Sequence, residues 1–307
     1  MQGLVIRNTG SLYQVKTASG DTFDCRIKGN FRIKGIKSTN PIAVGDRVEF
    51  EEREVEDCLI TSILPRRNYI VRKPANLSKQ IHIIAANVDL ALIVVTVNHP
   101  VTSTVFIDRF LATCEAYAVP AQIVINKKDL YTTDELEYAR NLSYLYHTIG
   151  YESLLVSAST REGIDEVASL LHGKVTLLAG NSGVGKSSII NAISPAFKAR
   201  TGDLSEVHDA GMHTTTFSEM YEVEADSYIV DTPGIRGFGT IDFEKEEVGH
   251  YFPEIFRYSK ECRFSNCTHT HEPGCAVVEA VKNHLISESR YNSYLSILDD
   301  KDEDKYR

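Results

Sequence analysis

Apolar and polar positions alternate along the first part of the chain. Runs of this kind at residues 3–7, 12–17, 22–27, 47–52 and 59–63 have the period of two that marks half-buried strands. Turn material separates them, as in Thr9-Gly10-Ser11, Ala18-Ser19-Gly20-Asp21 and Val44-Gly45-Asp46. Five strands in so short a span suit a small β-barrel, of which the OB type is one form. Residues 30–40 carry Arg32, Lys34 and Lys37, with Gly29 and Gly35 nearby, and read as a mobile basic loop. Pro65-Arg66-Arg67-Asn68 closes the section.

From about residue 80 the pattern changes. Residues 90–97 and 121–125 are near-continuous apolar runs, as expected of parallel strands buried on both faces. Between them Phe106, Phe110, Cys114 and Tyr117 recur at helical spacing. Strands are expected at 153–156, 174–179 and 227–230, and helices at 164–171 and 187–193. This alternation is α/β grammar, with crossover helices on a mostly parallel sheet. After residue 240 the pattern becomes helical fragments. One spans 276–286 with Val277, Val278, Val281 and Leu285 near one face, and the charged tail from Asp299 is expected to fray.

Composition narrows the class. Apolar residues at 42% and charged residues at 24% exclude a disordered or fibrous chain. No run approaches the ~18 apolar residues of a membrane span, and the N-terminus lacks a secretory pattern, so a cytoplasmic protein without a membrane partner is expected. The net charge of −9 argues against a wholly basic nucleic-acid protein. Charge is uneven, however: residues 1–73 hold 13 Lys/Arg against 9 Asp/Glu, or +4, which leaves −13 for the remainder. The N-terminal part is therefore the one suited to a polyanion.

The strongest chemical signal is Gly180-Asn181-Ser182-Gly183-Val184-Gly185-Lys186-Ser187-Ser188. It matches the phosphate-binding loop, in which glycines let backbone N–H groups curl around phosphates. Lys186 then reaches the β- and γ-phosphates, and the Ser187 hydroxyl ligates Mg²⁺. An apolar strand precedes the loop and a helix follows, which places the anion at a helix N-terminus. Asn126-Lys127-Lys128-Asp129 follows the strand at 121–125 and names the base. The Asp129 carboxylate can accept from N1–H and the 2-amino group of guanine, which adenine cannot supply. Ser157-Ala158 is placed to give a backbone N–H to the guanine oxygen. Asp231-Thr232-Pro233-Gly234 suits a Mg²⁺-linked carboxylate and a glycine that senses the γ-phosphate.

These pieces come in an unusual order, with the guanine elements ahead of the phosphate elements. Such a rotation is allowed because domain termini often lie close together, and it makes the chain similar to circularly permuted GTPases. Ile235 stands where Ras-like enzymes hold a water-orienting glutamine. Gly211-Met212-His213-Thr214-Thr215-Thr216 falls where the threonine switch belongs. Thr215, or its neighbour Thr214, would complete the Mg²⁺ shell, and His213 is a candidate to orient or deprotonate water.

Cys262-x4-Cys267-x-His269-x5-Cys275 forms a second cluster. Three thiolates and one imidazole make a closed tetrahedral zinc set of the structural kind, and His271 competes with His269 for the fourth position. Arg257, Lys260 and Arg263 leave a cationic fringe beside it. Cys25, Cys58 and Cys114 read as small buried side chains.

Together these motifs resemble the ribosome small-subunit-dependent GTPase A family, the RsgA or YjeQ type, over nearly the whole chain. The resemblance implies an OB-fold RNA-binding domain at 1–68, a permuted G domain at 69–240 and a zinc-binding domain at 241–307. It also implies a monomer that binds the small (30S) ribosomal subunit through its rRNA late in maturation. GTP hydrolysis to GDP would be stimulated by that subunit, with one structural Zn²⁺ and with Mg²⁺ accompanying the GTP. By the same resemblance His213 is the catalytic residue beside Lys186 and Gly234, and Ile235 replaces glutamine. Met212 departs from the arginine common in the family at that position. Two readings of other classes stand beside this one: a GTP-dependent regulator with a non-ribosomal partner, and an RNA-binding module that uses GTP as a structural ligand.

Overall fold

A computed structural model of the chain describes residues 1–27, 41–53, 57–72, 82–195, 219–231 and 245–303. The basic loop expected at 30–40 lies outside them. In chain order the strands are β1 (Gln2–Asn8), β2 (Tyr13–Lys16), β3 (Thr22–Ile27), β4 (Arg47–Glu51), β5 (Cys58–Ile63), β6 (Tyr69–Arg72), β7 (His82–Ala86), β8 (Leu90–Val95), β9 (Ala121–Ile125), β10 (Ser153–Leu155), β11 (Val175–Ala179), β12 (Glu219–Glu224) and β13 (Ser227–Asp231). The helices are α1 (Thr104–Ala116), α2 (Thr133–Thr148), α3 (Ile164–Leu171), α4 (Lys186–Ile193), α5 (Pro253–Ser259), α6 (Ala276–Lys282) and α7 (Glu288–Glu303).

Contacts divide the chain into two compact units. The first comprises Met1–Ala91, Asp165–Leu178 and Ser187–Gly237; the second comprises Leu92–Ile164, Ala179–Lys186 and Phe238–Arg307.

In the first unit the five expected N-terminal strands pair in the order β1-β2-β3-β5-β4, and β4 returns to β1 to close a barrel. The β3–β5 pair is parallel and the other pairs are antiparallel, which is the Greek-key connectivity of an OB-type barrel. Val5, Tyr13, Val15, Val48, Phe50 and Ile60 fill its core. Cys25 and Cys58 face each other across β3 and β5, and burial pushes the Cys25 thiol up to about 12. Both are buried, as is Cys114. The hairpin β6–β7 is antiparallel, and Val44 forms an isolated bridge to Ala85 of β7. Arg66, nearly buried, clamps Asp46 with two bonds of 2.7 Å.

The same unit contains β11 and β13, paired in parallel, and β12, antiparallel to β13. Strand β12 also pairs with β1, opposing Glu219 to Arg7, and Lys16 reaches Glu222 at 2.6 Å. Neither β12 nor β6–β7 was among the expected strands. Three glutamates in the six residues of β12 mask the buried Met220 and Val223.

In the second unit β9 and β10 are parallel; β8, whose residues from Leu92 onward belong to this unit, is buried along its whole length. Helix α1 starts at Ser103, whose hydroxyl accepts from Phe106 N, and it buries Ile107, Phe110, Leu111 and Cys114. Helix α2 was not foreseen. Its signals were the capping box of Thr132 and Glu135, and buried Ala139, Leu142 and Tyr146 at helical spacing within a polar sequence.

One C-terminal expectation is corrected. Helix α6 stops at Lys282 rather than continuing to 286. His284 has φ +57, so the chain turns there; Leu285 is exposed at 59%, and Ile286 enters the core instead. Helix α7 runs to Glu303, and the rest of the charged tail lies outside the described residues. That core joins Ala112 of α1 to Phe252, Ile255, Val277, Tyr294 and Ile297.

Candidate nucleotide site and metal centre

The phosphate loop connects β11 to α4. Gly180, Gly183 and Gly185 all have positive φ, at +140°, +82° and +97°. A side chain at two of them would also collide with its surroundings. A Cβ on Gly180 would meet the Val94 carbonyl oxygen, and one on Gly185 would meet Asn126 Nδ2. The glycines therefore supply both the curvature and the close backbone approach that a phosphate cradle needs. Lys186 Nζ donates to the carbonyls of Gly180 (2.7 Å) and Asn181 (2.8 Å), and burial lowers its pKa. A phosphate oxygen entering the loop offers this ammonium a stronger, charged acceptor. Ser187 and Ser188 follow in the first turn of α4.

Asn126 joins this loop to the base-recognition segment. Its Nδ2 donates to Val184 O at 2.9 Å, its Oδ1 accepts from Ala158 N at 3.1 Å, and its backbone N–H reaches Val95 O at 2.9 Å. The residue is 1% exposed, so these bonds are shielded from water. Lys127 has left-handed φ (+67°) and its ammonium donates to His99 O, while Lys128 pairs with Glu162. Asp129 is exposed. Ser157 Oγ donates to its Oδ1 at 2.6 Å and Ser159 Oγ to its Oδ2 at 2.7 Å. Those hydrogen bonds, from Ser157 first and then Ser159, hold the carboxyl below its usual range. An ionised carboxylate has about four acceptor sites, so it keeps capacity for N1–H and the 2-amino group of guanine.

The Ser157-Ala158 segment lies against both the Asn126 turn and the Glu162 loop. Ser157 N donates to Glu162 O and Ala158 N donates to Asn126 Oδ1, so both N–H groups serve the protein's own loops. Ser157 also contributes its hydroxyl, which orients Asp129. Sequence reading missed Ser159 in the same role, although a hydroxyl two residues after a strand-end serine was the available signal. Asp231 ends β13. Met212, His213, Thr214, Thr215, Gly234 and Ile235 lie outside the described residues.

Cys262, Cys267, His269 and Cys275 come together in the second unit, with all ligand atoms within 4.8 Å of one another. Cys262 Sγ lies 3.9 Å from Cys275 Sγ, and His269 Nδ1 lies 3.6 Å and 3.5 Å from those two sulfurs. Zinc bonds of usual length at tetrahedral angles require edges of about 3.8 Å between sulfurs and about 3.6 Å from sulfur to nitrogen. The residues fit the ion. His269 is 5% exposed, and Tyr291 Oη donates to its backbone carbonyl at 2.6 Å. His271 is exposed and its Nδ1 bonds Thr270 Oγ1, so His269 is the histidine that joins the three cysteines in the cluster. Burial alone would raise the Glu272 carboxyl. Donation from the Thr268 hydroxyl and from the backbone of Thr268 and Thr270 reverses that and brings it down to about 2, so a fixed carboxylate braces the ligand loop.

Residues 63–241 match the family model described as RsgA GTPase, and residues 2–60 match the RsgA N-terminal domain. The chain belongs to the RsgA GTPase family. A relative from Bacteroides thetaiotaomicron, named small ribosomal subunit biogenesis GTPase RsgA 2, is 60% identical, covering 100% of this chain and 99% of its own. The RsgA of Porphyromonas gingivalis is 56% identical over the same shares. Among solved structures, YjeQ from Thermotoga maritima superposes with a TM-score of 0.77 at 36% identity over 97% of both chains. YloQ, described as a circularly permuted GTPase, gives 0.76 at 28% identity, covering 98% of this chain and 95% of its own.

RsgA-family membership makes the chain a GTPase, and the chain order of the site agrees with a permuted one. The Asn126 and Ser157 segments come before Gly180, yet Asn126 contacts both. Among the described residues, no helix is long and apolar enough to cross a membrane.

Proposed function

We propose that this chain binds the small (30S) ribosomal subunit through its rRNA, acts in the late maturation of that subunit, and leaves it after hydrolysing GTP to GDP and phosphate. The observation that carries the reading is identity of 60% over the full length to a protein named for small ribosomal subunit biogenesis. The site geometry supports the nucleotide half of the reading, because Asn126 couples the phosphate loop to the loop that presents Asp129. The protein acts as a cytoplasmic monomer whose parts are the barrel (1–68), the G domain (69–240) and the zinc-binding segment (241–307).

Asp129 selects guanine, and the N–H groups of residues 180–188 with Lys186 bind the phosphates. Ser187, Thr215 and Asp231 would hold Mg²⁺; hydroxyl and carboxylate oxygens are the ligands this cation takes, and it neutralises phosphate charge when bound. His213 orients the attacking water, and Gly234 senses the γ-phosphate. Cys262, Cys267, His269 and Cys275 would hold Zn²⁺, which fixes the fold of the C-terminal segment. Beside them Arg257, Lys260 and Arg263 lie over the rings of Tyr258, Phe256 and Phe264. Phe256 and Phe264 are each 41% exposed, and cations interleaved with exposed rings suit RNA phosphates and unstacked bases.

The test is phosphate release from GTP with and without purified small subunits, in parallel with Lys186→Ala and His213→Ala. Strong stimulation lost in both variants is the expected result. Stimulation that survives in His213→Ala moves the catalytic group elsewhere, and no stimulation of the wild type rejects the ribosomal reading.

A further inference from the structure

The guanine site has a support that no motif contains. Tyr131 lies two residues beyond Asp129, just after the short 3₁₀ turn Lys128–Leu130. Its phenol oxygen donates to the backbone carbonyl of Asn126, and the same oxygen accepts from the backbone N–H of Val97 at 2.9 Å. The hydroxyl is thus shared between the first residue of the base-recognition turn and the segment that follows β8. Leu130 N reaches Lys127 O and Tyr131 N reaches Lys128 O, so the turn is closed by its backbone inside the clip made by the phenol. Burial raises the pKa of the phenol, which keeps the proton it donates.

The clip bears on a residue each of whose polar groups already has a partner. The N–H, Oδ1 and Nδ2 of Asn126 are committed to Val95, Ala158 and Val184, and its carbonyl is committed to Tyr131. The first three bonds tie Asn126 to β8, to the Ser157 loop and to the phosphate loop. The fourth sets how the following residues leave Asn126, and therefore where the Asp129 carboxylate points. A second tether on the same turn, Lys127 Nζ to His99 O, also ends in the segment after β8.

We infer that Tyr131 is a positioning residue for base selection, holding the turn so that Asp129 meets both N1–H and the 2-amino group of a guanine nucleotide. The inference rests on the proposal that Asp129 reads guanine. Its consequence is particular to the base. A carboxylate that drifts loses two bonds to guanine but one to hypoxanthine, which lacks the 2-amino group. Loosening of the phosphate loop would instead weaken every nucleotide alike.

The experiment measures equilibrium affinities of the full-length protein for GTP, ITP and ATP, in wild type and in Tyr131→Phe, with thermal unfolding of each as a check on folding. Losing two hydrogen bonds at the hydroxyl weakens GTP binding about tenfold. ITP binding weakens less, so the GTP-to-ITP preference falls. Asp129→Asn and the double variant complete a cycle. Once Asp129 is gone, Tyr131→Phe has little further effect on GTP. An unchanged GTP-to-ITP ratio overturns the inference, as does a loss of the same size with and without Asp129. Equal binding of ATP and GTP by the wild type rejects instead the underlying assignment of guanine to Asp129.

Discussion

Arg290 Nη1 lies 2.7 Å from Asp108 Oδ1, although 182 residues separate them along the chain. The same guanidinium bonds Glu254 through Nε (2.6 Å) and Nη2 (3.2 Å) and sits over the Phe252 ring. Tyr146 Oη donates to Asp108 Oδ1 at 2.7 Å. One buried cation thereby joins α7 to α1 and α5, with α2 attached through Tyr146. Removing one partner of such a group strands charge where water cannot reach it. Arg290→Leu is expected to cost about 3–5 kcal/mol, read as a lower midpoint in urea unfolding. A loss under 1 kcal/mol, roughly what an exposed pair contributes, would show that the node is not holding these helices.

Asp108 gives this node a pH dependence. Burial raises its carboxyl pKa, and the attraction of Arg290 only partly offsets that. A group whose pKa is higher in the folded state contributes stability that is full below its unfolded value and is lost as pH rises through the folded value. Wild type should therefore lose stability relative to Asp108→Asn as pH rises across the carboxylate range. Urea midpoints of the two proteins in a pH series check this; a constant difference contradicts it.

Gly185→Ala should weaken nucleotide binding more than folding. The added methyl meets Asn126 Nδ2 and displaces its bond to Val184, while φ +97° adds backbone strain of about 1–3 kcal/mol. Affinity for GDP together with the melting temperature separates the two effects. A variant that binds GDP normally would mean that Asn126 does not brace the phosphate loop.

Asp129→Asn replaces an acceptor with a group that can also donate. GTP affinity should fall at least about 100-fold, and xanthosine triphosphate, which carries an oxygen in place of the 2-amino group, should bind better than it does to wild type. Competition against a labelled guanine nucleotide measures both. No change in preference would remove Asp129 from the base site.

The protein as purified should hold one zinc per chain, and Cys275→Ala should abolish it. Cys275 caps α6, accepting from Val278 N, and belongs to the core of that region. Losing the ion should therefore lower the melting temperature as well as the metal content. Metal analysis and thermal unfolding of both proteins test this, and a zinc-free variant that melts like wild type would make the ion dispensable.

Local sequence carried much of this. The barrel strands were legible because alternation and turn residues are properties of neighbouring positions, and the phosphate loop was legible because glycine spacing is. Helix α2 and strand β12 were not, because polar residues outnumber the few that each buries. Leu285 misled for a related reason: helical spacing placed it on the apolar face of α6, but the chain leaves the helix at Asn283 and His284.

By itself the sequence determined which groups are available for ligand chemistry: a glycine-rich loop ending in Lys186, the carboxylate of Asp129, and three cysteines with a histidine. Each depends on which side chains exist and how closely they are spaced. Only the tertiary structure decided how those parts support one another. It turned Asn126 into the link between segments at 158 and 184, gave Ser157 and Ser159 to Asp129, set Tyr131 against Val97, and placed Arg290 beside Asp108. Hydrogen bonds and buried charges require donor and acceptor to meet within about 3 Å. Which residues meet is settled by packing between elements far apart in the chain, and no local pattern encodes that.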